Sequence, residues 1–229
     1  MAIDSHLEFA RDAFELRGVP RQVAWFVAAF FLVGAVVAAG VDLVDAERWD
    51  AATLQSWTLV SQALAAIGML ELGRLHSSFS FAVLGILIGL IVIEEAFHVL
   101  NPISAWFAEV AQIENTWTTV RLGLLNGLLI YGFVAVLGIT MLVVSHYHGS
   151  PAEQRVIRNL ALLLFVGGVF GGPISTAGNW GDIRMWMFVE ECGEAIVFAA
   201  IAGYVGGLVA LTRSDPTASP RVVRTPTSR

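Results

Sequence analysis

Residues 79–100 read FSFAVLGILIGLIVIEEAFHVL, and this stretch decides the fold. A helix needs about 20 mostly apolar residues to cross a bilayer, and this stretch is long enough to do so. It ends in an acidic pair followed by a histidine, and such ionisable side chains cost free energy inside a membrane. The sequence offers five further windows of similar length and character, at 22–43, 53–74, 121–145, 157–179 and 185–211. Because the segments between them are short, the sequence predicts an all-α protein, a single bundle of six transmembrane helices.

The composition supports a multi-pass membrane protein and excludes several other classes. Of the 229 residues, 56% are hydrophobic and 14% are charged, against about 25% charged in a typical soluble domain. The net charge of -6 leaves no basic stripe for nucleic acid. Cys192 is the only cysteine, so no internal disulfide or multi-cysteine zinc site can form. There is no lysine, which excludes Schiff-base chemistry.

The arginines predict the orientation of the bundle, because cytoplasmic loops are enriched in basic residues. With six spans both termini lie on one side, and that side collects ten of the thirteen arginines, namely Arg11, Arg17, Arg21, Arg74, Arg155, Arg158, Arg213, Arg221, Arg224 and Arg229. The other side has Arg48, Arg121 and Arg184. We therefore expect both termini in the cytoplasm and the protein in the cell membrane, with the lipid bilayer as its main partner.

Three segments follow from this topology. Residues 1–20 are predicted to be an amphipathic N-terminal segment that opens with a capping box at Ser5-His6-Leu7-Glu8, either along the inner membrane surface or as a short solvated helix. Residues 21–212 form the six-helix transmembrane domain. Residues 213–229 are rich in Arg, Pro, Ser and Thr, and this composition predicts a disordered cytoplasmic tail.

Two acidic trios provide the main chemical feature of the sequence. The third span contains Glu94, Glu95 and His98, and the sixth contains Glu190, Glu191 and Glu194. In both trios the offsets 0, 1 and 4 place the three side chains on one face of a helix. The third span runs outward and the sixth inward, so both trios should lie in the outer half of the membrane, where they could meet across the bundle.

The charge of these trios needs compensation. A charged side chain at the centre of a membrane helix costs about 2.5 to 3.5 kcal/mol. Five glutamates at one level cannot all be neutralised by Arg121 and Arg184, the two arginines that the topology places near that level. A bound cation, shared protons or water must supply the rest. The six residues of the trios are therefore our candidate metal ligands.

The pair Glu95-x-x-His98 resembles half of the di-iron carboxylate pattern of ferritin-like bundles. The match is partial, because the other helix offers Glu191-x-x-Glu194 and spans 2 and 5 carry no carboxylate at that level. Oxygen ligands with one imidazole would suit a divalent iron, manganese or zinc ion. Asp42 is expected in an acidic outer vestibule or as an ordinary loop charge. A haem is not expected, since the other histidines lie at the ends of spans.

Further polar residues could complete a pocket or a relay. Pro173 should break the fifth span, and Ser175, Thr176 and Asn179 beyond it are predicted at the level of the glutamates. Glu71, near the inner end of span 2, could relay protons or ions.

Three functional hypotheses remain open at this point. The first is a transport or channel-type protein in which the Glu/His cluster binds a divalent metal ion or protons. Such a protein should contain a water-accessible path from the cluster towards Glu71. The second is a membrane-embedded, metal-dependent oxidoreductase with an apolar cavity beside the metal. The third is a non-catalytic membrane subunit or sensor, in which the carboxylates form a structural network. A homo-oligomer and a partner membrane subunit are both left open.

Overall fold

The computed structural model describes residues 16, 18–44, 51–99, 102, 132, 136–141, 143–144, 147–169 and 183–214, with the side chains of 183–187 left undescribed. Within these ranges the regular structure is entirely helical. The long helices are α1 (Val19–Val44), α2 (Ala52–His76), α3 (Phe79–Phe97), α4 (Pro151–Val169) and α5 (Ile183–Ser214). Three predicted windows, 22–43, 53–74 and 185–211, each lie inside one of these helices. The window 79–100 starts at the first residue of α3. Three predicted parts lie largely outside the described residues: the window 121–145, the second half of the window 157–179, and the two terminal segments.

Three of these helices are long and apolar enough to cross a membrane: α1, α3 and residues 188–214 of α5. The outer face of α1 carries large apolar side chains that are more than half exposed, namely Trp25, Phe26, Phe30, Val33, Val36, Val37 and Val41. A soluble protein rarely leaves so continuous an apolar surface open to water. The described part of the chain is therefore all-helical, with three helices suited to the bilayer, as in a membrane protein.

Helix α5 lies at the centre of the described bundle, in contact with α1, α2 and α4. Its apolar window is 56% buried, against 17% for that of α1. Glycines allow the close contact with α1: a Cβ added at Gly203 would lie 2.6 Å from the carbonyl oxygen of Ala24, and one at Gly207 would lie 2.9 Å from that of Pro20. Small residues one turn apart are the usual means by which membrane helices approach closely.

Helices α2 and α3 form a hairpin with a two-residue turn. Ser77 ends α2 in the left-handed conformation, with φ of 50°. Ser78 then caps α3, because its hydroxyl accepts a hydrogen bond of 3.3 Å from the N–H of Phe81. Gly73 lies against Ala82, where an added Cβ would be 2.8 Å from the backbone nitrogen. The hairpin places the end of α3 beside the first half of α2.

Helix α2 lies between its neighbours and packs against α1, α3 and α5. The indole of Trp57 fills the space above Gly34 of α1 and donates a hydrogen bond of 2.9 Å to the carbonyl oxygen of Phe31. This central position gives α2 a buried face along most of its length. It also puts α2 between the two helices that carry the acidic trios.

Candidate functional site

Carboxylates of α3 and α5 lie within range of electrostatic interaction with one another. Glu95, near the end of α3, interacts electrostatically with both Glu191 and Glu194 of α5. All three residues are half-buried. We refer to Glu95, Glu191 and Glu194 as the carboxylate cluster. One oxygen of this cluster, Oε2 of Glu191, is buried and has no hydrogen-bond partner.

Two further glutamates of the trios flank the cluster. Glu190 interacts electrostatically with Glu191 and Glu194, and Glu94 interacts with Glu95. Both flanking glutamates also take part in other polar interactions. They add negative charge to the same region, which therefore holds five glutamates from two helices.

His98 is the residue that follows the last helical residue of α3. Helix α3 ends at Phe97, and His98 adopts the left-handed conformation with φ of 49° while its N–H donates to the carbonyl oxygen of Glu94 at 2.7 Å. Its side chain is exposed, whereas Glu95 is half-buried. The Glu95–His98 pair was predicted on a continuous helix, whereas the helix ends one residue before His98.

Helix α2 contributes a polar face that the acidic trios do not predict. Thr58, Ser61 and Gln62 are all buried, with at most 1% of their surface exposed. The two hydroxyls donate to carbonyl oxygens of their own helix, from Thr58 to Leu54 at 3.0 Å and from Ser61 to Thr58 at 2.8 Å. Gln62 makes no such bond within α2, and its amide meets no described atom at full hydrogen-bonding geometry.

The Gln62 amide lies beside the carboxylate of Glu95, close enough to interact with it. A fully buried amide without a well-formed hydrogen bond costs about 1 to 3 kcal/mol. Gln62 thus places a neutral donor and acceptor beside Glu95 of the carboxylate cluster. The sequence contained a signal for this face, because positions 58, 61 and 62 are the i, i+3 and i+4 positions of a helix.

Asp42 has a structural role that the sequence analysis did not anticipate. It is 7% exposed and its carboxylate accepts hydrogen bonds from the N–H groups of Thr53 at 3.1 Å and Leu54 at 2.8 Å. These N–H groups belong to the first turn of α2, where no helical carbonyl is available. Ala51, the residue at the N-cap, is in the left-handed conformation and provides no side-chain cap. Asp42 therefore caps α2 from the end of α1, and it also interacts electrostatically with Glu191.

Two of the described arginines, Arg74 and Arg213, pair with Glu71, away from the carboxylate cluster. Arg121 lies outside the described residues, as do Ser175, Thr176 and Asn179, and the side chain of Arg184 is not described. Among the side chains that are described, no three His, Cys, Asp or Glu residues are arranged to hold a metal ion directly.

Glu71 lies at the end of α2 that is far from Gln62. We call this the hairpin end, because the Ser77-Ser78 turn is there. Nine residues separate it from Gln62, which is about 13 Å along a helix. Its carboxylate pairs with Nε of Arg74 at 2.7 Å and with Nη2 of Arg213 at 3.2 Å. Glu71 thus links α2 to the end of α5.

The interior between the carboxylate cluster and Glu71 is apolar in the described residues. Helix α2 buries Ala65, Ala66, Met69 and Leu72 there, each at most 6% exposed. Ile88, Ile201 and Val205, at most 1% exposed, belong to the same hydrophobic core. The described helices are therefore packed with apolar side chains between the carboxylate cluster and Glu71.

A cavity of about 100 Å³ lies at the hairpin end, among α2, α3, α4 and α5. His76, Glu153 and Thr212 give it a polar rim. The ring Nε2 of His76 is 2.9 Å from the hydroxyl of Thr212, and the hydroxyl of Ser78 donates to the Glu153 carboxylate. This cavity does not adjoin the carboxylate cluster, where an oxidoreductase would need its substrate space.

Comparison with known proteins gave no match, whether with family models, with curated proteins or with solved structures.

Proposed function

We propose that the protein is a multi-pass transport protein of the cell membrane, with six spans and both termini in the cytoplasm. Its carboxylate cluster is the binding site for the transported cation, a divalent metal ion or a proton. One observation carries this proposal: Glu95, Glu191 and Glu194 come from two helices to one place at the end of an otherwise apolar core. Ionisable residues inside a membrane domain are costly and usually mark ion pathways.

The apolar packing of the described helices is not the open path expected of a channel, so the proposal is a transporter rather than a channel. A transporter that works by alternating access keeps one side sealed while its site is open to the other. The packing of Met69, Leu72 and Ile201 would be the seal, and the Glu71–Arg213 ion pair would hold the hairpin end together. Transport then requires these contacts to separate.

The experiment is a flux assay in liposomes that contain the purified protein. A pH-sensitive dye inside reports proton entry, and a dye quenched by manganese reports Mn²⁺ entry. We expect Glu95→Gln and Glu191→Gln each to slow the flux at least about tenfold, because each removes one charge from the site. Glu153→Gln is the matched control, since it neutralises a carboxylate at the hairpin end, and its rate should stay within about twofold.

A second candidate is favoured by the same apolar packing. If the glutamates form only a structural network, the protein is a non-catalytic membrane subunit or sensor. In that case liposomes with the unmutated protein would be no more permeable than empty ones to either ion. Equal flux in the unmutated protein and in both cluster variants would also exclude the carboxylate cluster as the transport site.

A further inference from the structure

We propose that Arg74 and Arg213 bind the phosphate of an anionic phospholipid at the hairpin end, with one of its acyl chains along the exposed face of α2. This inference goes beyond the proposed transport function and does not depend on the carboxylate cluster. The sequence predicted the bilayer only as a general partner, without a position for any one lipid.

Two arginines from different helices are held side by side by one carboxylate. Nη2 of Arg74 donates to Oε1 of Glu71 at 2.7 Å, and Nη2 of Arg213 donates to the same oxygen at 3.2 Å. The side chains of Arg74 and Arg213 are 70% and 66% exposed, whereas that of Glu71 is 21% exposed. The carboxylate is therefore the more enclosed partner, and both guanidinium groups are open to the surroundings of the bundle.

The guanidinium groups keep most of their donors for a second acceptor. An arginine has five N–H donors. Within the described residues, Arg74 uses its Nε and Nη2 groups on Glu71, and Arg213 uses Nη2. Two positive charges also face one negative charge, so the three side chains together remain positive. A phosphate, which arginine binds through paired hydrogen bonds, matches both the remaining charge and the remaining donors.

An exposed apolar face of α2 leads away from the two arginines. Leu64, Ile67 and Leu70 are exposed large apolar side chains. Their spacing places them on the same face of the helix as Arg74, and we call these three residues the apolar stripe. From Leu64 to Arg74 the helix rises about 15 Å. One leaflet of a bilayer has the same depth, because the whole hydrocarbon core is about 30 Å thick. The apolar stripe therefore fits an acyl chain whose phosphate lies at Arg74.

An anionic phospholipid fits both parts of this surface. A soluble phosphate ester would use the arginines and leave the apolar stripe unused. A zwitterionic lipid carries a cation next to its phosphate, and the arginines would repel that cation. The predicted topology places the hairpin end in the cytoplasm, and the cytoplasmic leaflet is rich in anionic lipids that basic residues between membrane helices bind.

The test is lipid binding to the purified full-length protein in detergent, counted by native mass spectrometry. Dioleoylphosphatidylglycerol and dioleoylphosphatidylcholine are the probes, because they share their acyl chains and differ in headgroup charge. We expect one phosphatidylglycerol per chain to bind about tenfold more tightly than phosphatidylcholine. Arg74→Gln and Arg213→Gln should each weaken phosphatidylglycerol binding about fivefold, which is the contribution of one arginine at a membrane surface.

The controls separate this site from general attraction and from unfolding. Arg158→Gln removes an exposed arginine of α4 outside the Glu71 pairs, and it should leave the phosphatidylglycerol affinity within about twofold. Arg74→Lys keeps the charge and should lose less affinity than Arg74→Gln. Each variant is also melted without added lipid, and we expect little change, because both arginines of the site are largely exposed.

Three results would overturn the inference. Equal losses in Arg74→Gln and Arg158→Gln would indicate a general basic surface without a defined site. Equal affinity for the two lipids would exclude recognition of an anionic headgroup. Displacement of the lipid by an equal concentration of glycerol 1-phosphate, which has the phosphate without acyl chains, would make a soluble phosphate ester the ligand. Ion flux in liposomes with Glu95→Gln and Glu191→Gln decides the proposed function separately.

Discussion

Replacing Asp42 tests whether one side chain holds the start of α2 in place. The carboxylate accepts two hydrogen bonds, from Thr53 and Leu54, in a buried position. Replacing a capping side chain by alanine costs about 0.5 to 2 kcal/mol, and a hydrogen bond to a charged group contributes about 1.5 to 3 kcal/mol. Some of this loss is offset, because Asp42 also repels Glu191. We therefore expect Asp42→Ala to lower the free energy of unfolding by about 2 to 3 kcal/mol.

Asp42→Asn separates the hydrogen bonds from the charge. The asparagine oxygen can still accept from the first turn of α2, but it lacks the negative charge that favours a helix N-terminus by about 0.3 to 1 kcal/mol. The expected loss is about 1 kcal/mol or less. Reversible unfolding in mixed detergent micelles with increasing dodecyl sulfate, followed by circular dichroism, measures both variants. Equal stability of Asp42→Ala and the unmutated protein, or lower stability of Asp42→Asn than of Asp42→Ala, would refute the capping role.

Two further variants test the packing of α5 by the same unfolding measurement. Gly203→Ala should destabilise the protein by about 1 to 3 kcal/mol, because its Cβ would lie 2.6 Å from the carbonyl oxygen of Ala24. Gly206→Ala is the matched control and should change stability little, because its Cβ would meet its nearest neighbour at an ordinary 3.6 Å. If both alanines cost the same, close contact is not the reason for glycine. Tyr204→Phe removes the acceptor of the buried 3.1 Å hydrogen bond from Asn159 and should lower the free energy of unfolding by about 1 to 3 kcal/mol. An unchanged unfolding midpoint would contradict this prediction.

The helices could be predicted from the sequence because a bilayer sets their length and composition. The window 53–74 lies inside α2 and the window 22–43 inside α1, each within a few residues of the ends of its helix. Helix ends were harder to predict. Ser77 and His98 adopt the left-handed conformation that glycine usually provides, so no glycine marked the end of α2 or α3.

The site could be predicted only as far as helical periodicity reaches. Spacing indicated which glutamates share a face of α3 or α5, and the opposite directions of these helices placed both trios at one level. The roles of Gln62 and Asp42 depend on contacts between different helices, which spacing does not give. Asp42 reaches residues 11 and 12 positions further along the chain, across a turn whose geometry depends on the left-handed Ala51.

Helix α2 is buried on several sides, yet it is not among the three described helices that are apolar enough to cross a membrane by their own composition. Its buried polar side chains make the insertion of α2 alone into lipid energetically unfavourable. The two-residue turn at Ser77 and Ser78 connects it to α3, which is strongly apolar. During biosynthesis the two helices should therefore enter the bilayer together, so that the polar helix depends on its apolar neighbour for membrane integration as well as for packing.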